Sequence, residues 1–349
     1  GFPIAKIAAK LAVGYTLDEL PNDCTKTTPS SFEPTIDYIV TKIPIYPFEK
    51  FSETEKILSS SMKSVGEVMA IGRSFVESLQ KALRSLETGL TGLDEIKLPD
   101  TKEEILKALK KLSPDRLLMI AEAIRRNISL DEIYEATFYD KWFLEQIKLI
   151  IDNENRIRKS QNILEDKNLL YEMKSLGFSD ARIAKLLDKK EDEISIARKN
   201  LNIHPVYKLV DTCAGEFYSA NSYMYSTYEG DEFNGSENET TITGKKKIII
   251  LGSGPNRIGQ GIEFDYACVH AAIAYREAGF EAIMINCNPE TVSTDYDISD
   301  KLYFEPLTAE DVIEIASMEN KEGNLIGVNI QFGGQTPLKL SHKLQEASI

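Results

Sequence analysis

The residues of this chain best suited to bind an anion lie in a glycine-rich loop after a short apolar run. The run ends at residue 251, and the loop follows at once. Backbone N–H groups in such a loop, at the start of a helix, can cradle a phosphate or a carboxylate. We therefore predict an anion-binding loop formed by Gly252, Gly254, Asn256 and Gly259.

This loop departs from the fingerprint of a dinucleotide site. A third glycine would be expected at position 257, where Arg257 stands, and Pro255 removes one backbone donor. The second apolar run ends in Asn286-Cys287-Asn288, without the acidic residue that would bind a ribose hydroxyl. A small carboxylate- or phosphate-like anion therefore suits the loop better than NAD. A nicotinamide-dependent dehydrogenase remains an alternative, which an NADH titration would test.

The elements around the loop predict a parallel sheet. Apolar runs at 282–285, 302–304 and 324–332 are typical of strands, and 307–319 is typical of a helix. Strands that alternate with helices form right-handed βαβ units. We expect residues 245–349 to form a Rossmann-like domain.

Residues 100–203 are predicted to be nearly all helix. Thr101 with Glu104 and Ser129 with Glu132 have the spacing of capping boxes. Apolar residues recur on one helical face, and no repeat of constant period is visible. The pattern therefore predicts a helical bundle and not a solenoid.

The first 90 residues have a mixed pattern. An apolar helix ends at Gly14, a strand is predicted at 36–43, and two helices are predicted around 62–71 and 73–87. These are too few strands for a complete sheet domain. Farther along, residues 229–244 are polar and acidic, which is typical of a linker.

The composition and charge of the chain argue against several classes of protein. A net charge of -14 argues against nucleic acid or an anionic membrane as the main partner. No apolar run approaches the ~20 residues of a membrane span. The 4 cysteines and 3 histidines are scattered, so neither a metal site nor a disulfide framework is expected. Reduced cysteines favour a cytoplasmic location.

Four long signatures carry a family resemblance. They are GPNRIGQGIEFDY at 254–266, NCNPETVSTDYD at 286–297, LYFEP at 302–306 and FGGQTPLKL at 332–340. They resemble the start of the second synthetase half of the carbamoyl phosphate synthetase large subunit. Residues 1–20, 31–44 and 62–73 resemble the end of its first ATP-grasp domain, and residues 180–186, 204–217 and 223–229 resemble its central helical domain. The resemblance is weakest at 92–170 and 230–244.

The resemblance implies a domain order and a fold class of α/β plus all-α. Residues 1–90 would end the carboxyphosphate domain, which is the first ATP-grasp domain. Residues 91–228 would form a helical oligomerisation domain, and a linker would follow at 229–244. Residues 245–349 would begin a Rossmann-like pre-ATP-grasp domain of the carbamoyl phosphate half.

The resemblance also implies an activity for the parent protein. Such a ligase makes carbamoyl phosphate from bicarbonate, glutamine-derived ammonia and two ATP, for pyrimidine or arginine biosynthesis. Carbamate would pass through a tunnel beside Arg257, Gly261 and Glu263. From the residues alone, Arg257 and Glu263 could pair with each other or bind the carbamate. Alternatively, Glu263 only stabilises a helix N-terminus.

Cofactors and partners follow from the same resemblance. ATP with Mg²⁺ or Mn²⁺ would bind the parent, held by carboxylates outside residues 1–349, so no catalytic or metal-binding residue is assigned and the fragment is expected to be inactive. A glutaminase subunit or domain is the expected partner. The helical segment is expected to self-associate, as a dimer at micromolar concentration. A purely structural assembly module is the other alternative.

Overall fold

The N-terminal part combines a two-stranded sheet with helices. The structure is a computed structural model that describes residues 2–51, 53–213, 222–230 and 237–349. Helix α1 covers Ile4–Ala12, and strands β1 (Ile39–Ile45) and β2 (Gly66–Gly72) pair antiparallel. Helix α2 (Phe75–Ser85) packs on this pair of strands. It also contacts the helices that follow and so connects the strands to the rest of the molecule.

The prediction of a helix around 62–71 was wrong, because residues 66–72 form β2 and residues 62–65 are not helical. Val68 pairs with Ile43, and Met69 N donates to Cys287 O at 2.9 Å. Val68 is buried between α2 and Cys287 in one apolar cluster. Hydrogen bonding of this segment to β1 on one side and to Cys287 on the other therefore outweighs the local helical pattern. The predicted helix at 73–87 is confirmed as α2, which begins after the N-cap Ser74.

Seven helices form the middle of the molecule, as predicted. They are α3 (Lys102–Leu109), α4 (Arg116–Arg125), α5 (Leu130–Thr137), α6 (Lys141–Lys159), α7 (Lys167–Ser175), α8 (Asp180–Leu187) and α9 (Glu191–Asn200). The capping box of Ser129 and Glu132 is present, and the Thr101 side chain accepts from Glu104 N. One apolar core joins these helices to α2.

A six-stranded sheet forms the C-terminal part. Its strands are β3 (Val206–Leu209), β4 (Tyr223–Thr227), β5 (Lys247–Leu251), β6 (Glu281–Asn286), β7 (Lys301–Phe304) and β8 (Leu325–Asn329). Their order is β3-β4-β7-β6-β5-β8, antiparallel only between β3 and β4. The helices here are α10 (Glu263–Glu277), α11 (Ala309–Glu319), α12 (Gln335–Leu338) and α13 (Ser341–Glu346). The parallel sheet predicted from the βαβ pattern is thus present.

Strands β3 and β4 were not predicted, and they lie within the stretch assigned to the helical segment. They extend the C-terminal sheet beside β7. Of the predicted linker, residues 231–236 lie outside the described residues. The part after them bonds to the sheet edge: Leu209 N donates to a Glu239 carboxylate oxygen at 2.7 Å, and Thr240 Oγ1 lies 3.0 Å from the Tyr303 hydroxyl. The domain limits themselves stay predictions.

None of the helices within the described ranges combines the length and the apolar character that crossing a membrane requires.

Candidate functional site

The glycine-rich loop connects β5 to α10 and packs tightly against its neighbours. A Cβ on Gly252 would lie 2.4 Å from the Asn286 side chain. A Cβ on Gly333, in the loop after β8, would lie 2.4 Å from the carbonyl oxygens of Leu251 and Gly252. Glycine is required at position 333 because the backbone of the adjacent loop approaches so closely, and at position 252 because the Asn286 side chain fills the space of a Cβ.

Two buried asparagines hold the loop in shape. Asn286 Oδ1 accepts from Gly254 N at 3.2 Å and from Cys287 N at 2.9 Å. Asn288 Nδ2 donates to Gly254 O at 2.9 Å and to Asn256 Oδ1 at 3.0 Å. At the point where a dinucleotide site has an acidic residue, this chain therefore has amides that support the loop.

The predicted anion-binding residues divide into two groups. Gly252 N donates to Ile285 O at 2.8 Å, and Gly254 N donates to Asn286, so these two N–H groups already have partners inside the protein. Asn256 and Gly259 instead line an open cleft. An anion at this loop would therefore meet the 256–259 end, while the 252–254 end supports it.

The cleft has a volume of about 510 Å³ and lies between the first and last parts of the chain. The glycine-rich loop and α10 form one wall, and the ends of β1 and α2 form the other. Its polar lining residues are Glu49, Lys50, Glu87, Thr88, Asn256, Arg257, Gln260, Glu263 and Gln335. Two of the three predicted tunnel residues, Arg257 and Glu263, are thus brought together in one cleft.

The tunnel candidates have distinct surroundings. Arg257 Nη2 donates to Thr336 Oγ1 at 2.7 Å and its Nε donates to Gln260 Oε1 at 3.3 Å, which fixes the guanidinium. Glu263 is the first residue of α10. No ion pair links Arg257 to Glu263 in the described part of the chain. Gly261 does not line the cleft, but its Cβ would lie 1.8 Å from Glu263 Oε2.

Glu87, which sequence reasoning missed, also lines the cleft. It follows the end of α2 with φ of 59°, and Lys339 Nζ lies 3.2 Å from its carboxylate. Burial raises the pKa of Glu87, and the charges of Lys339 and Arg257 partly oppose that rise. No local motif marks this glutamate, since only the fold brings α2 to the loop.

The segment after β6 is also tied to the site. Glu290 N donates to Asn288 Oδ1 at 2.9 Å, and Asn256 Nδ2 lies 3.4 Å from Glu290 Oε2. Asp265 of α10 accepts from Val292 N at 2.9 Å. The segment is therefore a turn in which side chains cap backbone groups, and it brings a second unpredicted carboxylate, Glu290, to the loop.

Thiols and metal ligands are dispersed. Burial raises the pKa values of Cys268 and Cys287 to about 12, so both thiols are protonated at neutral pH. Within the ranges that the structure describes, no three His, Cys, Asp or Glu side chains gather as a metal-binding group.

Comparison with known proteins places these elements in families. Residues 67–202 match the family described as carbamoyl-phosphate synthetase large chain, oligomerisation domain, and residues 244–349 match the carbamoyl phosphate synthase preATP-grasp domain. The carbamoyl phosphate synthase large chains of Brucella melitensis, Rhizobium meliloti and Pseudomonas aeruginosa are 58%, 60% and 55% identical to this chain. Each match covers 100% of this chain and 30–32% of the relative, so the chain spans about a third of those proteins.

Proposed function

Because this chain belongs to the carbamoyl phosphate synthase large chain family, we propose that it is part of an ATP-dependent ligase that makes carbamoyl phosphate. The observation that supports this most is the cleft. One wall comes from residues 45–88, whose last part lies within the oligomerisation-domain match, and the other comes from the part matching the preATP-grasp domain. A passage for an intermediate between two synthetase halves would need this position.

The cleft suits a small carboxylate such as carbamate. Arg257 supplies a fixed positive charge, and Asn256 and Gln260 supply amide groups. Glu87 and Glu263, which lie on opposite walls of the cleft, would repel a second anion and bond to the amino end of a carbamate. A path that shelters the intermediate would limit its reaction with water.

The rest of the reaction belongs to the whole protein. We propose that the parent uses bicarbonate, two ATP and ammonia released from glutamine by a glutaminase partner, in the cytoplasm, for pyrimidine or arginine biosynthesis. Carboxylates elsewhere in the parent would hold Mg²⁺ or Mn²⁺ on the nucleotide phosphates, which neutralises charge during phosphoryl transfer. The tested protein is therefore the full-length parent, since this chain alone is expected to form no product.

The substitution Gly261→Phe in the full-length parent tests the passage. A phenyl ring there must displace the Glu263 carboxylate, which lines the cleft, because even a Cβ would overlap it. We expect bicarbonate-dependent ATP hydrolysis to continue while carbamoyl phosphate synthesis falls at least tenfold. Gly244→Phe is the matched control, since a Cβ there meets only Glu322 at 3.8 Å. Normal synthesis in a folded Gly261→Phe protein would refute the proposal.

We also propose that the helical segment mediates self-association. The family description of residues 67–202 supports this role. Three aromatic side chains are exposed on it: Phe138 is 79% exposed, Trp142 48% and Phe143 41%. The rings of Trp142 and Phe143 contact each other and Phe75 in tilted and edge-to-face arrangements, at centroid distances of 5.0 to 5.5 Å. Such a rigid aromatic patch is typical of interface cores.

A further inference from the structure

A small polar cavity lies where α2 and the helical bundle meet the C-terminal sheet. We call it the junction cavity; its volume is about 20 Å³, enough for about one water molecule. Glu77 of α2, Tyr207 of β3 and Glu305, which follows β7, are among its lining residues. All three residues are about 1% exposed.

Each of these three side chains has one polar atom without a partner. They are Glu77 Oε1, Glu305 Oε2 and the Tyr207 hydroxyl. The other carboxylate oxygens are satisfied: Glu77 Oε2 accepts from Arg73 N at 2.7 Å and from Thr227 Oγ1 at 3.2 Å, and Glu305 Oε1 accepts from Lys81 Nζ at 2.9 Å. Buried polar atoms of this kind normally bond to a water or a ligand. The junction cavity is therefore polar, and it is the size of one water.

Carboxylates outnumber cations around the cavity. The carboxylates are Glu77, Asp180, Glu305, Glu310, Asp311 and Glu314, and the cations that form ion pairs with them are Lys81, Arg84, Lys174 and Arg198.

Glu77 is the carboxylate of this set that has no ion pair among the described residues. Two other basic side chains near the cavity also form their ion pairs with carboxylates other than Glu77. The Arg73 guanidinium is paired with Asp37 and Glu229, and the half-exposed His204 bonds to Glu314.

We propose that Glu77 keeps a proton on Oε1 at neutral pH and donates it to a single water in the junction cavity. That water would accept from Glu77 and from the Tyr207 hydroxyl and donate to Glu305 Oε2, so all three unpartnered atoms would gain a bond. The proton takes the place of a missing cation. The result is a proton-dependent contact between α2 and the sheet, and it is independent of the proposed enzyme activity.

Electrostatics agree with this geometry. Burial raises the pKa of Glu77, although Lys81 and the Arg73 N–H act in the opposite direction. Burial also raises the pKa of Glu305. An acid whose pKa is raised by folding stabilises the folded state at low pH, and that stabilisation is lost as pH rises through the folded-state pKa. The junction is therefore expected to weaken as pH rises from about 4.5, the ordinary glutamate pKa, through the raised folded-state pKa of Glu77.

The test compares unfolding of this chain and its Glu77→Gln variant between pH 4 and 9. Glutamine keeps the neutral shape, so the variant should match the wild type near pH 4, where Glu77 is largely protonated in the folded and unfolded states alike. At pH 9 its melting temperature should be higher by about 2–4 °C. Glu319→Gln is the control, because Glu319 is equally buried but paired with Lys247 at 3.0 Å and Lys301 at 2.9 Å. That variant should lose stability throughout the pH range.

Infrared difference spectroscopy between wild type and Glu77→Gln gives a second measurement. A carbonyl band of a protonated carboxylic acid at pH 7, absent from the variant, is expected. If the band is missing and Glu77→Gln lowers stability as Glu319→Gln does, Glu77 is ionised and the proposal fails. It also fails if K⁺ or NH₄⁺ stabilises the wild type more than Na⁺ does and Glu77→Gln abolishes the difference, since a cation would then occupy the cavity.

Discussion

At the scale of single residues, the site depends on two glycines whose lack of a side chain leaves room for their neighbours. Gly252 and Gly333 allow the loops after β5 and β8 to touch, with Asn286 filling the space beside them. Arg257, one of the charged groups of the cleft, is held beside this contact by its hydrogen bond to Thr336. Changes in the loop backbone are therefore expected to affect both stability and the cleft.

Gly333→Ala is expected to destabilise the chain by about 1–3 kcal/mol, as overpacking does. Its Cβ would meet backbone oxygens at 2.4 Å, and backbone atoms cannot rotate away. Gly327→Ala is the control, because nothing lies within 4 Å of a Cβ there; it should change stability by no more than about 0.5 kcal/mol. Urea unfolding of both variants measures the difference. Equal stability would show that the loops relax freely.

At the scale of elements, α2 is the piece that joins the molecule. Its residues pack into the helical core, against β1 and β2, and against acidic groups of the C-terminal part. The pairs across this joint are buried: Arg84 with Asp311 at 3.1 Å, and Lys174 with Glu310. Breaking a buried pair leaves an uncompensated charge, which is costly.

The Glu310→Gln variant tests the joint through its acid response. Burial alone would raise the pKa of Glu310, but Lys174, Arg198 and Arg84 outweigh burial and lower the pKa to about 2. Its contribution, on the order of 3 kcal/mol, should be present at pH 7 and lost as pH falls from about 4.5 to 2. Glu310→Gln should lower stability at pH 7 and reduce the loss of stability as the pH falls.

The control for that experiment is Glu172→Gln. Glu172 also pairs with an arginine, Arg156 at 2.5 Å, but is 48% exposed. Exposed pairs contribute about 0–1 kcal/mol. If thermal unfolding in acid shows the same change for both variants, the joint does not depend on Glu310.

At the scale of the whole molecule, buried ion pairs connect α2 and the helical segment to the C-terminal part. The helical segment also carries an exposed aromatic patch. The patch lies on the part matching the oligomerisation domain. Phe138 has a left-handed backbone with φ of 55°, an unfavourable conformation for a bulky residue that leaves the ring in solvent. An exposed ring held in this way is expected to meet a partner surface.

Phe138→Asn is therefore expected to weaken self-association at least tenfold without unfolding the chain. Asparagine tolerates the left-handed backbone, while removal of one buried ring costs about 1.5–3 kcal/mol at an interface. Light scattering across micromolar concentrations measures the dimer. Met62→Ser, at an 87% exposed position outside the helical segment, is the control. A monomeric wild type at every concentration would contradict the prediction.

The sequence by itself determined the local features. The glycine loop, the caps at Thr101 and Ser129, and the alternation of strands and helices after residue 245 depend on neighbours a few residues away, and long signatures identified the family. Periodicity failed at 66–72 because that strand gains its partners, Ile43 and Cys287, from distant parts of the chain.

Only the tertiary structure decided which charges face each other. Glu87 reaches the cleft, and Glu77 shares a cavity with Glu305, because folding brings together residues more than 150 positions apart. Strand β4 likewise joins the sheet by pairing with β7, and β3 joins it by pairing with β4, which local propensity does not encode. Burial and pairing across such distances set the free energies of these groups, and no short stretch of sequence contains both partners.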